Sequence, residues 1–401
     1  MTGVSRPAAP AAATDWRAVL IVVASGVVAA LQVGKGIIAL PLLRTDFALD
    51  LEAAGWVISV FAFIGVFGGI PAGVMVNRFG DRLISLSGLL ILAMGSLISA
   101  LASSFALLLF ARIIEGTGFL LVTVAAPALL QRMVAPRDRD LAFGLWSTFM
   151  PAGMAIALLS GAALSGWRVF WLVNAGLVVL AALFVAISVP RNDSAARRPA
   201  WDSLVRDTWS TIAAPGPLLA ALIFALYAML YLALASFLPI LFAERLGASP
   251  TVAGMLSAIV VAANISGNLA AGMLLGRGTA RWQPIAFAGL VMGLAGMAIF
   301  LAPLPPFAIF VLCLIFSGVG GLLPATILTT APLLVSEPRL APMSLGLVMQ
   351  GSNLGQVVAP VTVGAAVDAA GWSAAAWPVG IAAGLALALT FALRGLSGMQ
   401  R

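Results

Sequence analysis

From residue 18 to residue 394 the chain alternates long apolar runs with short polar breaks. Twelve runs can be marked, with approximate limits 18–41, 53–76, 83–103, 105–131, 141–165, 169–189, 216–243, 251–275, 283–303, 306–335, 341–367 and 374–394. All reach the roughly 20 residues that a helix needs to cross a hydrocarbon core about 30 Å thick. They are too long and too evenly apolar to be barrel strands, so each is predicted to be a helix that satisfies its own backbone. The fold class that follows is an all-α integral membrane protein with twelve transmembrane helices.

The breaks orient the chain. Sixteen arginines fall in segments on the side of the two termini, against three (Arg44, Arg168 and Arg245) on the other, while Lys35 and Arg112 lie within runs. Arginine accumulates on the cytoplasmic side, so both termini are expected to be cytoplasmic, in a multi-pass protein of the cytoplasmic (inner) membrane. Residues 1–15 lack the apolar core of a signal peptide, and the first span is expected to serve as an uncleaved anchor.

The longest break, Arg191 to Gly216, is polar, arginine-rich and contains proline. It divides the chain into a tail (1–17), a six-helix half (18–190), a cytoplasmic linker (191–215), a second six-helix half (216–395) and a short tail (396–401). The halves also repeat. Gly55 and Gly254, Gly73 and Gly272, and the arginines 78/82 and 277/281 are each offset by 199. Pro136-Arg137 and Pro338-Arg339, Gly144-Leu145 and Gly346-Leu347, and Gly153 and Gly355 are offset by 202, and Gly166-Trp167 and Gly371-Trp372 by 205. Parallel repeats of this kind place a substrate site between the halves, near the middle of the membrane.

Composition excludes several classes. Charged residues are 9% of the chain and hydrophobic ones 62%, whereas soluble domains carry about 25% charge. The net charge of +7 is scattered without a basic patch, so no nucleic-acid partner is expected. Histidine is absent and Cys313 stands alone, so no metal site, no other cofactor and no disulfide framework is expected. With no nucleophile, metal set or acid–base pair near the interface, an enzyme is not expected either.

Against that background the charges inside the runs stand out. Arg112 and Glu115 share a helix face in the fourth run, and each costs about 2.5–3.5 kcal/mol to insert. Lys35 lies about 26 Å along its helix and Arg112 about 10 Å from the far end of its own, which puts the two at similar depth. Gln32 shares the face of Lys35. These four are candidates for substrate binding or proton coupling, and the competing explanation is a buried bridge from Glu115 to either cation. In the second half the candidates are neutral: Tyr227 and Tyr231, Asn264 and Asn268, then Gln350, Asn353 and Gln356. Such groups either hydrogen-bond a ligand or staple helices to one another. The two tyrosines could also stack on a flat ring. The run Gly65-x-x-x-Gly69-x-x-x-Gly73 reads as a close-packing face, and Pro151 as a kink.

Three motifs resemble those of the major facilitator superfamily. Gly73-Val-Met-Val-Asn77-Arg78-Phe79-Gly80-Asp81-Arg82 resembles its G-x-x-x-D-R-x-G-R-R loop, and Arg112-x-x-Glu115-Gly116-x-Gly118 its R-x-x-Q-G motif. Trp167-Arg168-Val-Phe170-Trp171-Leu-Val-Asn174 resembles its W-R-x-x-F-x-x-N run. The resemblance implies two pseudo-symmetric halves, alternating access, a monomer, packing of the second span on the eleventh, and a gating loop at Gly73, Asn77, Arg78, Gly80, Asp81 and Arg82. Asn77 and Asp81 depart from the pattern, and Asn77 cannot form the ion pair expected of the loop carboxylate.

Drug–proton antiporters of this family usually carry G-x-x-x-G-P-x-x-G-G in the fifth span, which Phe149-Met-Pro-Ala-Gly-Met154 does not match. That implies uptake, with proton-coupled efflux as the alternative. Gly267-Asn-Leu-Ala-Ala-Gly272 and Gln350-Gly-Ser-Asn-Leu-Gly-Gln356 are similar to the cyanate-permease-like branch, whose relatives import small anions, copper or riboflavin. Copper does not fit, because the paired methionines and histidines of those importers are missing. A small organic anion or a riboflavin-like vitamin is the implied substrate, with protons as possible partners.

Overall fold

A computed structural model describes residues 13–161, 166–191, 201–337 and 340–396. The repeat element Pro338-Arg339, the tail residues 1–12 and 397–401, linker residues 192–200 and the Asn77 side chain lie outside the described residues. The described residues hold seventeen α-helices and no strand. In the first half these are α1 (Trp16–Ile38), α2 (Leu40–Phe47), α3 (Leu51–Phe79), α4 (Asp81–Ala100), α5 (Phe105–Met133), α6 (Arg139–Ser147), α7 (Phe149–Gly161) and α8 (Trp167–Ser188). After α9 (Trp201–Ala213) come α10 (Pro215–Ala235), α11 (Leu238–Leu246), α12 (Pro250–Gly276) and α13 (Trp282–Leu301). The chain closes with α14 (Pro306–Gly320), α15 (Leu322–Thr330), α16 (Ala341–Ala370) and α17 (Ala376–Arg394).

Among the described residues eleven segments are long and apolar enough to span a membrane. Helix α16, at 30 residues the longest, is missing from that set because Gln350, Ser352, Asn353 and Gln356 lower its hydropathy. Proline accounts for much of the remaining segmentation. It removes an N–H and crowds the carbonyl four residues back. Pro41 and Pro239 lie just inside α2 and α11, where the first and seventh spans break. The fifth span is irregular at Thr148, three residues ahead of Pro151, where the kink is expected. The linker reading contained no helix, yet α9 forms within it.

The repeat is also visible in three dimensions. Gly153 packs on the Val27 carbonyl and Ala30, while Gly355 packs on the Ala225 carbonyl and Ala228. Both contacts are 198 residues apart on one side and 202 on the other. A Cβ at either glycine would collide with backbone, which explains why both positions are glycine. Likewise the Trp167 indole donates to Asp46 Oδ2 at 2.7 Å and the Trp372 indole to Glu244 Oε2 at 2.8 Å. The Trp167 N–H is the main reason the Asp46 carboxyl titrates below its ordinary range, with Arg168 at 3.2 Å adding to it.

The start of α1 and the end of α17 share one end of the bundle, here the terminal end; the opposite end is the far end. Helix α3 packs along α16, second span on eleventh. Gly65 and Gly69 face Asn353, Gln350 and the Gly346 carbonyl, so two glycines of the packing face do meet the opposite half. Near the far end Gly55 sits on Pro360, and Asp368 Oδ2 accepts the Glu52 N–H at 2.9 Å.

Candidate functional site

A cavity of about 250 Å³ lies between the halves. Its walls come from eight spans: Val33; Gly73 and Val76; Thr123 to Gln131; Phe143 to Met154; Phe224 to Leu232; Asn264 and Asn268; Pro324 and Leu328; and Leu345 to Gln356. Most of these residues lie in the middle or terminal-end part of their spans, while Val33 and Leu232 sit toward the far ends of α1 and α10. The cavity therefore lies toward the terminal half of the bundle, and the far ends of α3 and α16 are in contact at Gly55 and Pro360.

None of the described residues that line it is charged. Helix α10 contributes an aromatic row at i, i+3 and i+7. Phe224 and Tyr227 stack with centroids 5.8 Å apart and planes 5° apart, and Tyr227 and Tyr231 at 5.9 Å and 19°. From the first half come Trp146 and Phe149, stacked at 4.4 Å and 20° across the α6–α7 break. A polar chain crosses the second half. Asn268 Nδ2 donates to Asn264 Oδ1 at 2.8 Å, and Asn264 Nδ2 donates to Tyr227 Oη at 3.3 Å and to the Ser317 carbonyl at 2.9 Å. Gln356 Nε2 donates to Ser352 Oγ at 3.1 Å. Asn268 Oδ1 is buried without a hydrogen bond, and the hydroxyls of Tyr231 and Ser317 are buried side by side.

The intramembrane charges form a second, separate constellation. Glu115 Oε1 accepts from Lys35 Nζ at 3.0 Å while Oε2 pairs with Arg112 Nη1. Lys35 also donates to Ser96 Oγ at 2.7 Å and lies 4.7 Å from the Trp171 ring centre. Arg112 donates to the carbonyls of Val57 (3.0 Å) and Gln32 (2.9 Å), and lies 4.4 Å from the Phe61 ring centre. The Gln32 amide reaches Asn174 at 3.5 Å. All three charged side chains have zero exposure, and the cluster ties together α1, α3, α4, α5 and α8. None of Gln32, Lys35, Arg112 and Glu115 lines the cavity.

The sequence profile of the Major Facilitator Superfamily matches residues 20–341 and 241–398. The chain belongs to the Major Facilitator Superfamily. Among curated relatives, a stretch of 174 residues is 29% identical to the puromycin resistance protein pur8 of Streptomyces alboniger, covering 42% of this chain and 34% of that protein. The arabinose-proton symporter of Escherichia coli (strain K12) is 26% identical over 165 residues, covering 41% and 35%. The 3-(3-hydroxy-phenyl)propionate transporter of the same strain is 32% identical over 129 residues, covering 31% and 32%. The chain thus spans about a third of the length of each of these three relatives. A solved bacterial homologue of the human lysosomal transporter Spinster, in an inward-facing and occupied conformation, matches 94% of this chain and 95% of its own. Its TM-score is 0.71 at 19% identity, a likeness of fold.

Within this superfamily fold the remaining sequence candidates divide. Tyr227, Tyr231, Asn264, Asn268 and Gln356 line the cavity. Gln350 and Asn353 do not; Gln350 Nε2 donates to the Val66 carbonyl at 3.2 Å, and Asn353 faces Gly65. In the loop, Gly73 lines the cavity, and Gly80 turns the chain with φ 92°. Asp81, which departs from the family pattern, pairs with Arg132 at 2.9 and 3.1 Å. Arg82 donates to the Ala186 carbonyl, and Arg78 lies 5.6 Å from the Phe79 ring centre. The bonds of Asp81 and Arg82 stay within the first half. Sequence reasoning missed Trp146, Phe149 and Phe224, although Phe224-x-x-Tyr227-x-x-x-Tyr231 was legible as one helical face. Among the described residues no group of three His, Cys, Asp or Glu could hold a metal ion.

Proposed function

We propose that the chain is a secondary transporter that carries a small molecule across the cytoplasmic membrane by alternating access, with the central cavity as its substrate site. The observation that carries this is the cavity itself: both halves wall it, and the far ends of α3 and α16 are in contact beyond it. Rocking of one half against the other about α3 and α16 would close the terminal end and open the far end. With the arginine-rich termini in the cytoplasm, the cavity faces inward.

Proton coupling is assigned to Glu115. Among the described residues it is the carboxylate in a spanning helix well away from both ends, and some relatives are named as proton symporters. The uptake reading rests on the unmatched fifth-span motif. Export is the second reading, supported by the largely apolar lining and by relatives named as resistance proteins. Of the two substrate guesses, the lining favours an uncharged vitamin-like ring over an organic anion, because no cation lines the cavity among the described residues. The cyanate-permease-like branch rests on the Gly267–Gly272 and Gln350–Gln356 runs alone.

The test is uptake by proteoliposomes of riboflavin, cyanate, nitrate and short carboxylates, with and without an inward proton gradient, for wild type and Glu115→Gln. Gradient-driven accumulation that the variant loses while retaining exchange supports symport through Glu115. Uptake that ignores the gradient removes the coupling assignment, and gradient-driven extrusion replaces uptake by export.

A further inference from the structure

The repeat shows what the place of the charge cluster looks like without charge. The first and seventh spans correspond at an offset of 198, which pairs Pro41 with Pro239 and Lys35 with Ala233. The third and fourth spans correspond to the ninth and tenth at 201. At that offset Gly95 packs on Glu115 and Gly296 on Phe316, so the contact itself repeats. Arg112 is then matched by Cys313. Ala233, Cys313 and Phe316 are all buried. The second half builds this junction from apolar side chains alone, so the fold does not call for the charges.

We propose that the exchangeable proton of this transporter is the one that Lys35 Nζ holds against Glu115 Oε1, and that its loss lets Arg112 close on Glu115 with both arms of its guanidinium. The proposal rests on reading the Glu115 cluster as the coupling site and names the atom that gives up the proton.

Charge balance selects that atom. Two cations and one carboxylate leave one positive charge in excess, at side chains with zero exposure. Protonating Glu115 would leave two cations with no counter-charge, and an uncompensated charge is the costly case in a buried site. Arginine keeps its proton in proteins. Loss from Lys35 leaves a neutral amine beside a balanced Arg112–Glu115 pair. The step breaks one N–H bond: the electron pair stays on Nζ and the proton passes to water. Among the described residues the charged groups that face Lys35 are Glu115 and Arg112, both on α5. Helix α4 offers Ser96 and α8 offers Trp171, while α7 carries no ionisable residue. The other charged residues of the helices around α1 stand in their end turns.

An unpaired donor points the same way. Arg112 Nη2 is buried without a hydrogen-bond partner, and such exceptions call for an explanation. It lies against α1, where a Cβ on Gly36 would come within 3.1 Å of it. Nη1 pairs with Oε2, while Oε1 is taken by Lys35 at 3.0 Å. Once the amine lets go, Oε1 is free for Nη2, and the pair becomes the two-bond fork that arginine and carboxylate favour. The neutral amine keeps Ser96 Oγ, 2.7 Å away, as its partner. The second protonation state thus accounts for the arm that the first leaves unpaired.

The cluster also touches what moves. Arg112 Nε donates to the Val57 carbonyl at 3.0 Å, two residues from Gly55, which sits on Pro360 of the opposite half. Val33, two residues before Lys35, lines the cavity. In the proposed cycle, separation of the far ends of α3 and α16 pulls on the Arg112 anchor and opens the proton's route to water.

Lys35 is the single lysine of the chain, so the full chain grown on isotope-labelled lysine gives one Nζ signal in a nuclear magnetic resonance spectrum. The test is to follow that signal in nanodiscs from about pH 5 to about pH 10. The expected result is a passage from ammonium to amine within the range. In Arg112→Gln, where Lys35 and Glu115 balance one another, the signal should stay that of ammonium throughout. Melting temperature and monodispersity identify a variant that merely misfolds, and the wild-type titration then decides alone. An Nζ that is ammonium at both ends of the range, or amine at both ends, overturns the proposal, as does an Arg112→Gln signal that titrates like wild type. Vesicle transport of the panel above, with wild type and Lys35→Arg, separates the two layers. Lys35→Arg keeps the charge but cannot give up the proton, and should lose gradient-driven accumulation while keeping exchange. Gradient-driven transport beside an unchanging Nζ leaves the coupling reading and overturns the Lys35 assignment. A titrating Nζ beside transport that ignores the gradient supports the Lys35 proton and removes the coupling reading.

Discussion

Glu115 offers one carboxylate oxygen to each of two cations, and that division of labour decides how a substitution there will read out. Glu115→Gln leaves Lys35 and Arg112 buried without a counter-charge. Breaking a buried pair in this way costs about 3–5 kcal/mol. The expected outcome is a clear loss of thermal stability in detergent, partly restored in Glu115→Gln/Lys35→Met, where one cation is removed as well. Unchanged stability of the single variant would rule out a structural contribution from the cluster. Measuring this alongside transport separates lost coupling from lost folding. The trio was legible in the sequence because charges are rare in apolar runs and helical geometry fixes their depth. The sequence left open which cation pairs with Glu115, and the structure gives both. What the spacing could not convey is enclosure: depth along a helix is set by residue number, whereas exposure depends on which neighbours close over the face. The aromatic lining was hidden for a related reason. Phe224, Tyr227 and Tyr231 form the same stripe whether they face a packed core or a cavity.

At the scale of elements, the proposed alternating access requires the far ends of α3 and α16 to separate. Gly55 sits against the Pro360 carbonyl, and Gly364 against Leu51 and Glu52. Asp368, late in α16, accepts an N–H from the first turn of α3, a carboxylate at a helix N-terminus. A leucine at position 55 has no room beside Pro360, so Gly55→Leu should wedge the far end apart. Spin labels at the far ends of α3 and α16 should report a longer distance in the variant, with a second population if the wedge only biases the equilibrium. An unchanged distance distribution would mean that this contact does not set the closed state. The second-to-eleventh packing was legible from the glycine spacing together with the family resemblance. The broken first and seventh spans were not read from the sequence, although their matched Leu-Pro pairs, 40–41 and 238–239, mark both sites. Helix α9 was missed because a charged, proline-containing stretch reads as coil until packing on α10 and α16 gives it a face to bury.

For the whole molecule, the orientation of charge and the orientation of the cavity are separate properties that together make one prediction. Arginine placement assigns the terminal end to the cytoplasm without any reference to a cavity. The lining residues place the cavity toward the terminal end without any reference to charge. If both hold, the resting protein is open to the cytoplasm. Cys313 is buried, so a single introduced cysteine gives a clean readout. Leu345→Cys, on the terminal-end part of α16 and in the cavity wall, should react with a membrane-impermeant maleimide in inside-out vesicles and stay unreacted in intact spheroplasts. Adding Gly55→Leu should raise labelling from the outside and lower it from the inside, because alternating access does not leave both ends open at once. Labelling from both sides in the single variant would describe a continuous pore, and labelling from the outside alone would reverse the topology. Each outcome bears on a different step of the argument, from arginine count to helix packing to the motion of the halves.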